Sequence, residues 1–171
     1  MAALICTAIL CVHTPLKHST YVQQMSTCLS LVAESQSAGI APALVTSLAW
    51  HEARLLPDRT SSKGAKGPLQ VIPKFWCESE PCDYIKAGLK ALKHYLGKEA
   101  DERRAICRYN AGRCIPSAWD WSGKVMRLTE KVREITRVLP KRRLQLLTQS
   151  LPLPTTGCCP TMDALYGLLL W

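Results

Sequence analysis

The spacing of apolar residues is the feature that most constrains how this sequence can fold. Val22, Met25, Leu29 and Val32 recur three and four positions apart, which is the period of one face of an α-helix. Similar spacing continues along the chain and predicts five helices, which begin near residues 19, 42, 83, 101 and 124. We therefore expect a mainly α-helical protein.

One stretch interrupts this helical pattern. Residues 57–74 contain Gly64, Gly67, Pro68 and Pro73, which are residues typical of turns and unfavourable inside helices. The sequence predicts an ordered loop or a small β element here, directly after the helix that starts at Pro42. That helix is expected to end near Arg54.

The length of 171 residues suits a single domain. We expect it over residues 19–139, preceded by an apolar segment (1–18) and followed by a tail of different composition (140–171) whose role is not predicted. The apolar segment is either a signal or a buried helix or strand, because it lacks a basic start and a clear cleavage site. No apolar run reaches the ~20 residues that span a bilayer, so no membrane span is expected.

The charge indicates an anionic partner. Twenty-two Lys and Arg residues against 13 Asp and Glu residues give a formal charge of +9. Nucleic acid, anionic lipid and cell-wall polymer would all suit this charge, and composition does not choose among them. The basic outer face predicted for the last helix is equally compatible with a simple solvated surface.

The chain has nine cysteines, and their spacing helps to predict the cellular compartment. Two close pairs, Cys77 with Cys82 and Cys107 with Cys114, favour local disulfides and hence an oxidising environment. Their spacing is wider than that of most zinc sites, and free thiols in a reducing compartment are the alternative. No pairing is predicted for the remaining five, Cys6, Cys11, Cys28, Cys158 and Cys159.

Glu52 is the candidate catalytic residue. It follows Leu48 by four positions and Ala49 by three, so it lies on the apolar face of its helix. Burial raises the pKa of a carboxyl and keeps it protonated near neutrality, as a general acid requires. The alternative is a solvent-exposed Glu52 paired with Arg54 or Arg59.

The loop after Glu52 has the composition of a carbohydrate-binding wall. Ser61 and Gln70 offer hydrogen-bond donors and acceptors that suit sugar hydroxyl and acetamido groups, and the glycines permit close backbone approach. No acidic residue occurs from Arg59 to Cys77, whereas Lys63, Lys66 and Lys74 are present. The sequence thus predicts a groove with one carboxyl and a positive rim.

At this point the sequence resembles the SLT-type lytic transglycosylases over about residues 20–137. Their first signature is matched by a run of residues in this chain: Glu52, Pro57, Ser61, Gly64-Ala65, Gly67, Gln70-Val71 and Pro73. Their second signature, Tyr-Asn-Ala-Gly, is present as residues 109–112. Ala53 replaces the Ser that usually follows the glutamate, Pro68-Leu69 replaces Leu-Met, and Val132 departs from the family's C-terminal motif. The resemblance implies a lysozyme-like helical domain.

The resemblance also implies an activity: cleavage of the β-1,4 bond between N-acetylmuramic acid and N-acetylglucosamine in peptidoglycan. Glu52 would act as acid and then as base, forming a 1,6-anhydro product without metal or cofactor. Ser61, Gln70, Tyr109 and Asn110 would form the substrate-binding site, in which Tyr109 would hydrogen-bond Glu52 or hold it in place and Asn110 would bind a sugar. The alternatives for the last two are a core ring and a helix-terminal residue.

Two other functions stay open: a hydrolytic muramidase related to goose-type lysozyme, and a non-catalytic wall-binding protein of the same fold. Nucleic-acid binding has only charge in its favour, so no nucleic-acid partner is predicted. We expect a monomer in the periplasm or cell wall. Its small size is compatible with delivery by a bacteriophage or by a secretion or conjugation system.

Overall fold

The computed structural model describes residues 1–12 and 18–138. The predicted C-terminal tail, with Cys158 and Cys159, lies outside the described residues, as do the predicted final helical residue Leu139 and the side chain of Cys11.

Seven helices and no sheet make up the described part of the chain. In chain order they are α1 (Ala2–Cys11), α2 (His18–Ser37), α3 (Pro42–Ala53), α4 (Pro73–Trp76), α5 (Tyr84–Leu96), α6 (Glu102–Ala111) and α7 (Pro116–Val138). Between α3 and α4, isolated antiparallel bridges pair Thr60 with Lys66 and Lys66 with Val71. The mainly α-helical, lysozyme-like fold with a small β element is confirmed.

Several helix ends follow from local chemistry. The Asp83 carboxylate accepts hydrogen bonds from the N–H groups of Ile85 and Lys86 and caps α5. Asp101 caps α6 in the same way through the N–H of Arg104. These caps explain why the predicted starts of both helices agree with the structure.

The prediction for the last helix was wrong at its start. Helix α7 begins at Pro116, eight residues before the predicted Lys124. Proline is favoured in a first helical turn, and the Ser122 hydroxyl donates to the Trp119 carbonyl within the helix. Gly123, which resembles a boundary in the sequence, instead lies inside the helix and provides room for the Arg103 guanidinium.

The N-terminal helix α1 is part of the main core. Ile5, Ile9 and Leu10 are almost completely buried, and a disulfide joins Cys6 of α1 to Cys28 of α2. The helix packs against α2, α3 and α7. Removal of this segment as a signal stays a prediction.

The disulfides between Cys77 and Cys82 and between Cys107 and Cys114 are both present, as predicted from spacing. The bond between Cys6 and Cys28 was not predicted, because 22 positions separate these residues and only the packing of α1 on α2 brings them together. Three disulfides fit an oxidising location outside the cytoplasm. None of the described helices combines the length and apolarity needed to cross a membrane.

Helix α3 lies at the centre of the fold. Nine of its 12 residues are buried, and it packs against α1, α2 and α7. Because almost all of its faces are covered, its final turn is held firmly. Glu52 lies in that turn, next to the loop that leads to α4.

Candidate active site

Glu52 is partly buried in the last turn of α3, as its position on the apolar face predicts. Burial raises the pKa of this carboxyl from its usual 4.5 to about 7, although the Arg59 charge and a hydrogen bond with the Asn110 side chain act in the opposite direction. Loss of hydration therefore outweighs both stabilising contacts. The result is a carboxyl that is half protonated near neutral pH.

Asn110 connects α6 to this carboxyl. It lies in the last turn of α6, is exposed, and hydrogen-bonds Glu52. Gly112 follows in the left-handed conformation, with φ of 72°, and ends the helix. The Tyr-Asn-Ala-Gly sequence thus combines a helix stop with a polar side chain directed at the acid.

Tyr109 anchors the loop. Its hydroxyl donates a 2.6 Å hydrogen bond to the Leu69 carbonyl, and its ring meets Tyr95 edge-on with centroids 6.2 Å apart. Burial, the nearby Glu52 and Tyr95 raise the Tyr109 pKa well above its usual range, so the phenol stays protonated. Because its proton is directed to Leu69, its observed contact holds the loop beside the acid.

Backbone hydrogen bonds shape the loop over residues 59–71. Lys66 and Val71 exchange two bonds of 2.8 and 3.0 Å, and the Gly67 N–H donates to the Arg59 carbonyl at 2.9 Å. Gln70 has a positive φ of 48°. Its side-chain amide donates to the carbonyls of both Arg59 and Gly67 at 2.9 Å. These bonds close the loop into a small, ordered unit.

Ser61 also makes contacts within its own loop. Its hydroxyl accepts a 3.0 Å hydrogen bond from the Ala65 N–H. Ser61 is partly exposed, as is Gln70. The observed contacts of these two predicted substrate-binding residues therefore lie within the loop, which they support.

Two glycines allow the loop to approach α5. A Cβ on Gly88 would lie 2.5 Å from the Leu69 Cβ, and one on Gly67 would overlap the Tyr84 side chain. Leu69 is fully buried at this contact. The same residue thus fills the space over Gly88 and offers its carbonyl to Tyr109, so Leu69 joins the loop to both α5 and α6.

His51, next to the acid, has a different environment. It is partly buried and meets the Trp121 ring at 6.4 Å between centroids. Burial lowers its pKa, with further lowering by the positive charges of Arg54, Lys124 and Arg127. These surroundings suit an uncharged ring in a structural contact.

Sequence reasoning missed two contributors to the site. Arg59 was considered only as an ion-pair partner, yet its charge acts on the Glu52 carboxyl. Leu69 was not singled out, although it is the loop's buried anchor. A glycine inside the strongly amphipathic α5, Gly88, was the available signal, because such a residue often marks a close packing contact.

A helical domain with a partly buried carboxyl at a helix end, followed by an ordered glycine-containing loop, fits the lysozyme-like class of proteins. The family model described as Transglycosylase SLT domain matches residues 31–131, and the chain belongs to this family. Both sequence signatures fall inside the matched region, and the family's domains cleave the glycan strands of peptidoglycan. No curated protein matches the chain.

Proposed function

We propose that the protein is a lytic transglycosylase that cleaves the β-1,4 bond between N-acetylmuramic acid and N-acetylglucosamine. Glu52 is the proposed acid and base. The observation that carries the proposal is the partial burial of this carboxyl, which raises its pKa to about 7. At pH 7 roughly half of such a group is protonated, against less than about 1% of an ordinary glutamic acid.

In the first step Glu52 donates its proton to the glycosidic oxygen, and the bond from that oxygen to C1 of the muramyl sugar breaks. Positive charge develops at C1, as in other glycoside cleavages. The acetamido oxygen of the same sugar stabilises this charge in the proposed route. In this route the acetamido group takes the place that a second carboxylate has in ordinary glycosidases.

In the second step the C6 hydroxyl oxygen of the muramyl sugar bonds to C1, and its proton returns to Glu52. The product is a 1,6-anhydro sugar, no water is consumed, and the enzyme recovers its starting state. The ionised Glu52 between the steps is stabilised by the Arg59 charge and by the Asn110 hydrogen bond. One residue therefore serves both steps.

The remaining predicted residues receive supporting roles. Asn110 lies against the acid and is proposed to bind a sugar as well as orient Glu52. Both amide hydrogens of Gln70 have backbone partners, so its side-chain oxygen is the proposed sugar acceptor. The Ser61 hydroxyl accepts from Ala65 and still has a proton to donate. Tyr109 is proposed to position the wall through Leu69.

Analysis of the products by mass spectrometry tests this function. Purified peptidoglycan is digested with the parent protein, with Glu52→Gln, and with Asp58→Asn as a matched control, because Asp58 is an exposed carboxylate six positions along the chain. We expect anhydro-muramyl products, lighter by one water than hydrolysis products. We expect Glu52→Gln to reduce the rate by about 10²- to 10⁴-fold, with Asp58→Asn close to the parent.

Other results would assign another function. Products carrying a full water, lost on Glu52→Gln, would indicate the hydrolytic muramidase. Equal absence of products from the parent and Glu52→Gln, with retained wall binding, would indicate a non-catalytic binding protein.

The proposed site of action is the periplasm or cell wall, as a monomer that contacts glycan strands and no nucleic acid. The three disulfides and the positive charge support this location, because the wall is rich in anionic groups. Delivery by a bacteriophage or by a secretion or conjugation system stays a prediction.

A further inference from the structure

Phe75 is an apolar side chain that the fold does not bury. It is 70% exposed, more than any other large apolar side chain among the described residues. It belongs to the four-residue helix α4, which begins at Pro73, two positions after the loop of the candidate active site ends at Val71. The ring therefore contributes little to core packing and is free to contact a ligand that follows the proposed glycan groove.

The backbone that carries Phe75 is held on both sides. Proline occupies the first position of α4, and the Cys77 N–H donates to the Pro73 carbonyl at 2.9 Å. The disulfide between Cys77 and Cys82 follows at once. Because the backbone is restrained before any ligand arrives, less freedom is lost when the ring makes a contact.

The neighbouring Trp76 ties α4 to the candidate active site. Its ring lies 5.4 Å from His94 and 6.4 Å from Tyr95, measured between centroids, and Tyr95 in turn contacts Tyr109. Trp76 and Tyr109 also pack against one small apolar cluster, which includes Val71. The short helix therefore continues the wall of the site on the side of Tyr109.

A charge accompanies the exposed ring. The Lys74 ammonium lies 5.9 Å from the centre of the Phe75 ring, at the outer limit of a cation–π contact, and Lys74 is itself exposed. An aromatic face packs well against the apolar face of a pyranose ring. An adjacent ammonium suits the carboxylates of peptidoglycan, which are carried by the peptide stems and by muramyl sugars that lack a stem.

We propose that Phe75 and Lys74 form a further glycan-binding subsite, in which Phe75 stacks on a sugar ring and Lys74 pairs with a muramyl or stem-peptide carboxylate. This subsite rests on the proposed function, since it binds the same strand that Glu52 cleaves. It contributes affinity and leaves the chemistry at Glu52 unchanged. Its loss should thus raise KM more than it lowers kcat.

To measure binding without cleavage, each further substitution is made in the Glu52→Gln variant, which serves as the parent protein in this experiment. Two probes are titrated against it: a neutral N-acetylglucosamine hexamer and soluble glycan strands with peptide stems. Adding Phe75→Ala should weaken binding of both probes by about 2- to 10-fold, whereas Phe75→Trp should retain it. Adding Lys74→Ala should weaken binding of the charged strands alone.

Leu29→Ala is the matched control, because Leu29 is another exposed apolar side chain, 40% accessible, on the distant helix α2. It should bind both probes like the parent. Unchanged binding on Phe75→Ala would overturn the subsite, even if the protein cleaves peptidoglycan as proposed. Weakened binding in a protein that yields no anhydro product would support the subsite and reject the proposed function.

Discussion

The acid and the wall that faces it are held by different forces. Glu52 belongs to a helix with nine of its 12 residues buried, so apolar packing fixes its position. The loop over residues 59–71 buries few large side chains and is held by backbone hydrogen bonds, by Gln70 and by Tyr109. The position of a packed helix is insensitive to the identity of any one polar group. The shape of a hydrogen-bonded loop, in contrast, depends on a few polar groups.

The helix and the loop therefore contribute different properties to the site. Burial in the helical core raises the pKa of Glu52, and the loop carries the polar groups that are proposed to bind the glycan. Changes to the helix should therefore alter the titration of Glu52, and changes to the loop should alter its shape and its contacts.

The largest expected effect concerns the cost of burying Glu52. Its pKa in the folded protein is about 7, above the ordinary 4.5 of the unfolded chain. The contribution of Glu52 to the free energy of unfolding of the parent should be most favourable below pH 4.5. It should fall by roughly 3 kcal/mol as the pH rises to about 7. Glu52→Gln should lack this loss.

Urea unfolding of the parent and Glu52→Gln at several pH values measures this difference, with Asp58→Asn as the control for loss of an exposed carboxylate. A constant difference between the parent and Glu52→Gln from pH 4 to pH 8 would show that burial does not perturb the acid. The division between packed helix and hydrogen-bonded loop would then lose its main support.

The second largest effect is expected when a methyl group is added at Gly88, which should disturb the loop. The new Cβ would lie 2.5 Å from that of Leu69, so Leu69 or the helix must move. We expect Gly88→Ala to destabilise the protein by about 1–3 kcal/mol and to lower peptidoglycan cleavage. Thermal unfolding and a wall-clearing assay measure both effects.

Gly97→Ala is the control at the end of the same helix, because a Cβ there meets its nearest neighbour at an ordinary 3.5 Å. Its stability should stay within about 0.5 kcal/mol of the parent. If the two variants behave alike, the close contact between α5 and the loop does not position the wall.

Tyr109→Phe should have a smaller effect on stability. It removes the donor to the Leu69 carbonyl and keeps the ring, at an expected cost of about 1 kcal/mol. The rate of cleavage should fall further than this cost alone suggests, since the loop loses its tie to α6. Tyr95→Phe, in the same aromatic group, is the matched control; an equal loss of rate in that variant would argue against the anchoring bond.

The smallest effect is expected from Arg59→Ala. Arg59 lowers the pKa of Glu52, so its removal should raise that pKa further above 7. Because the first step needs protonated Glu52, the fall of kcat/KM at alkaline pH should move to higher pH. Lys63→Ala, which removes another exposed cation of the loop, should leave the profile in place; an identical shift in both would indicate a general charge effect.

Much of the fold was predictable, because local chemistry determines it. The capping carboxylates of Asp83 and Asp101 marked helix starts that the structure confirms. The start of α7 was mistaken because the apolar spacing that predicted this helix begins only at Val125, whereas the helix itself begins at Pro116.

For the candidate site, the sequence predicted the burial of Glu52 but not the contacts of the residues around it. The spacing of Glu52 from Leu48 indicated a buried acid, since helical periodicity is a local property. It did not indicate that the Tyr109 hydroxyl binds Leu69, or that Gln70 supports its own loop, because these partners depend on how distant segments meet.

The sequence alone determined five of the seven helices of the described residues, which face of α3 carries the acid, and that two local cysteine pairs lie within reach of each other. These properties depend on residues only a few positions apart. The tertiary structure decided the remainder: the disulfide that joins α1 to α2, the contact of Leu69 with Gly88, and the extent to which water is excluded from Glu52. Each of these requires segments distant in the chain to pack together, and the strength of an acid depends on that packing.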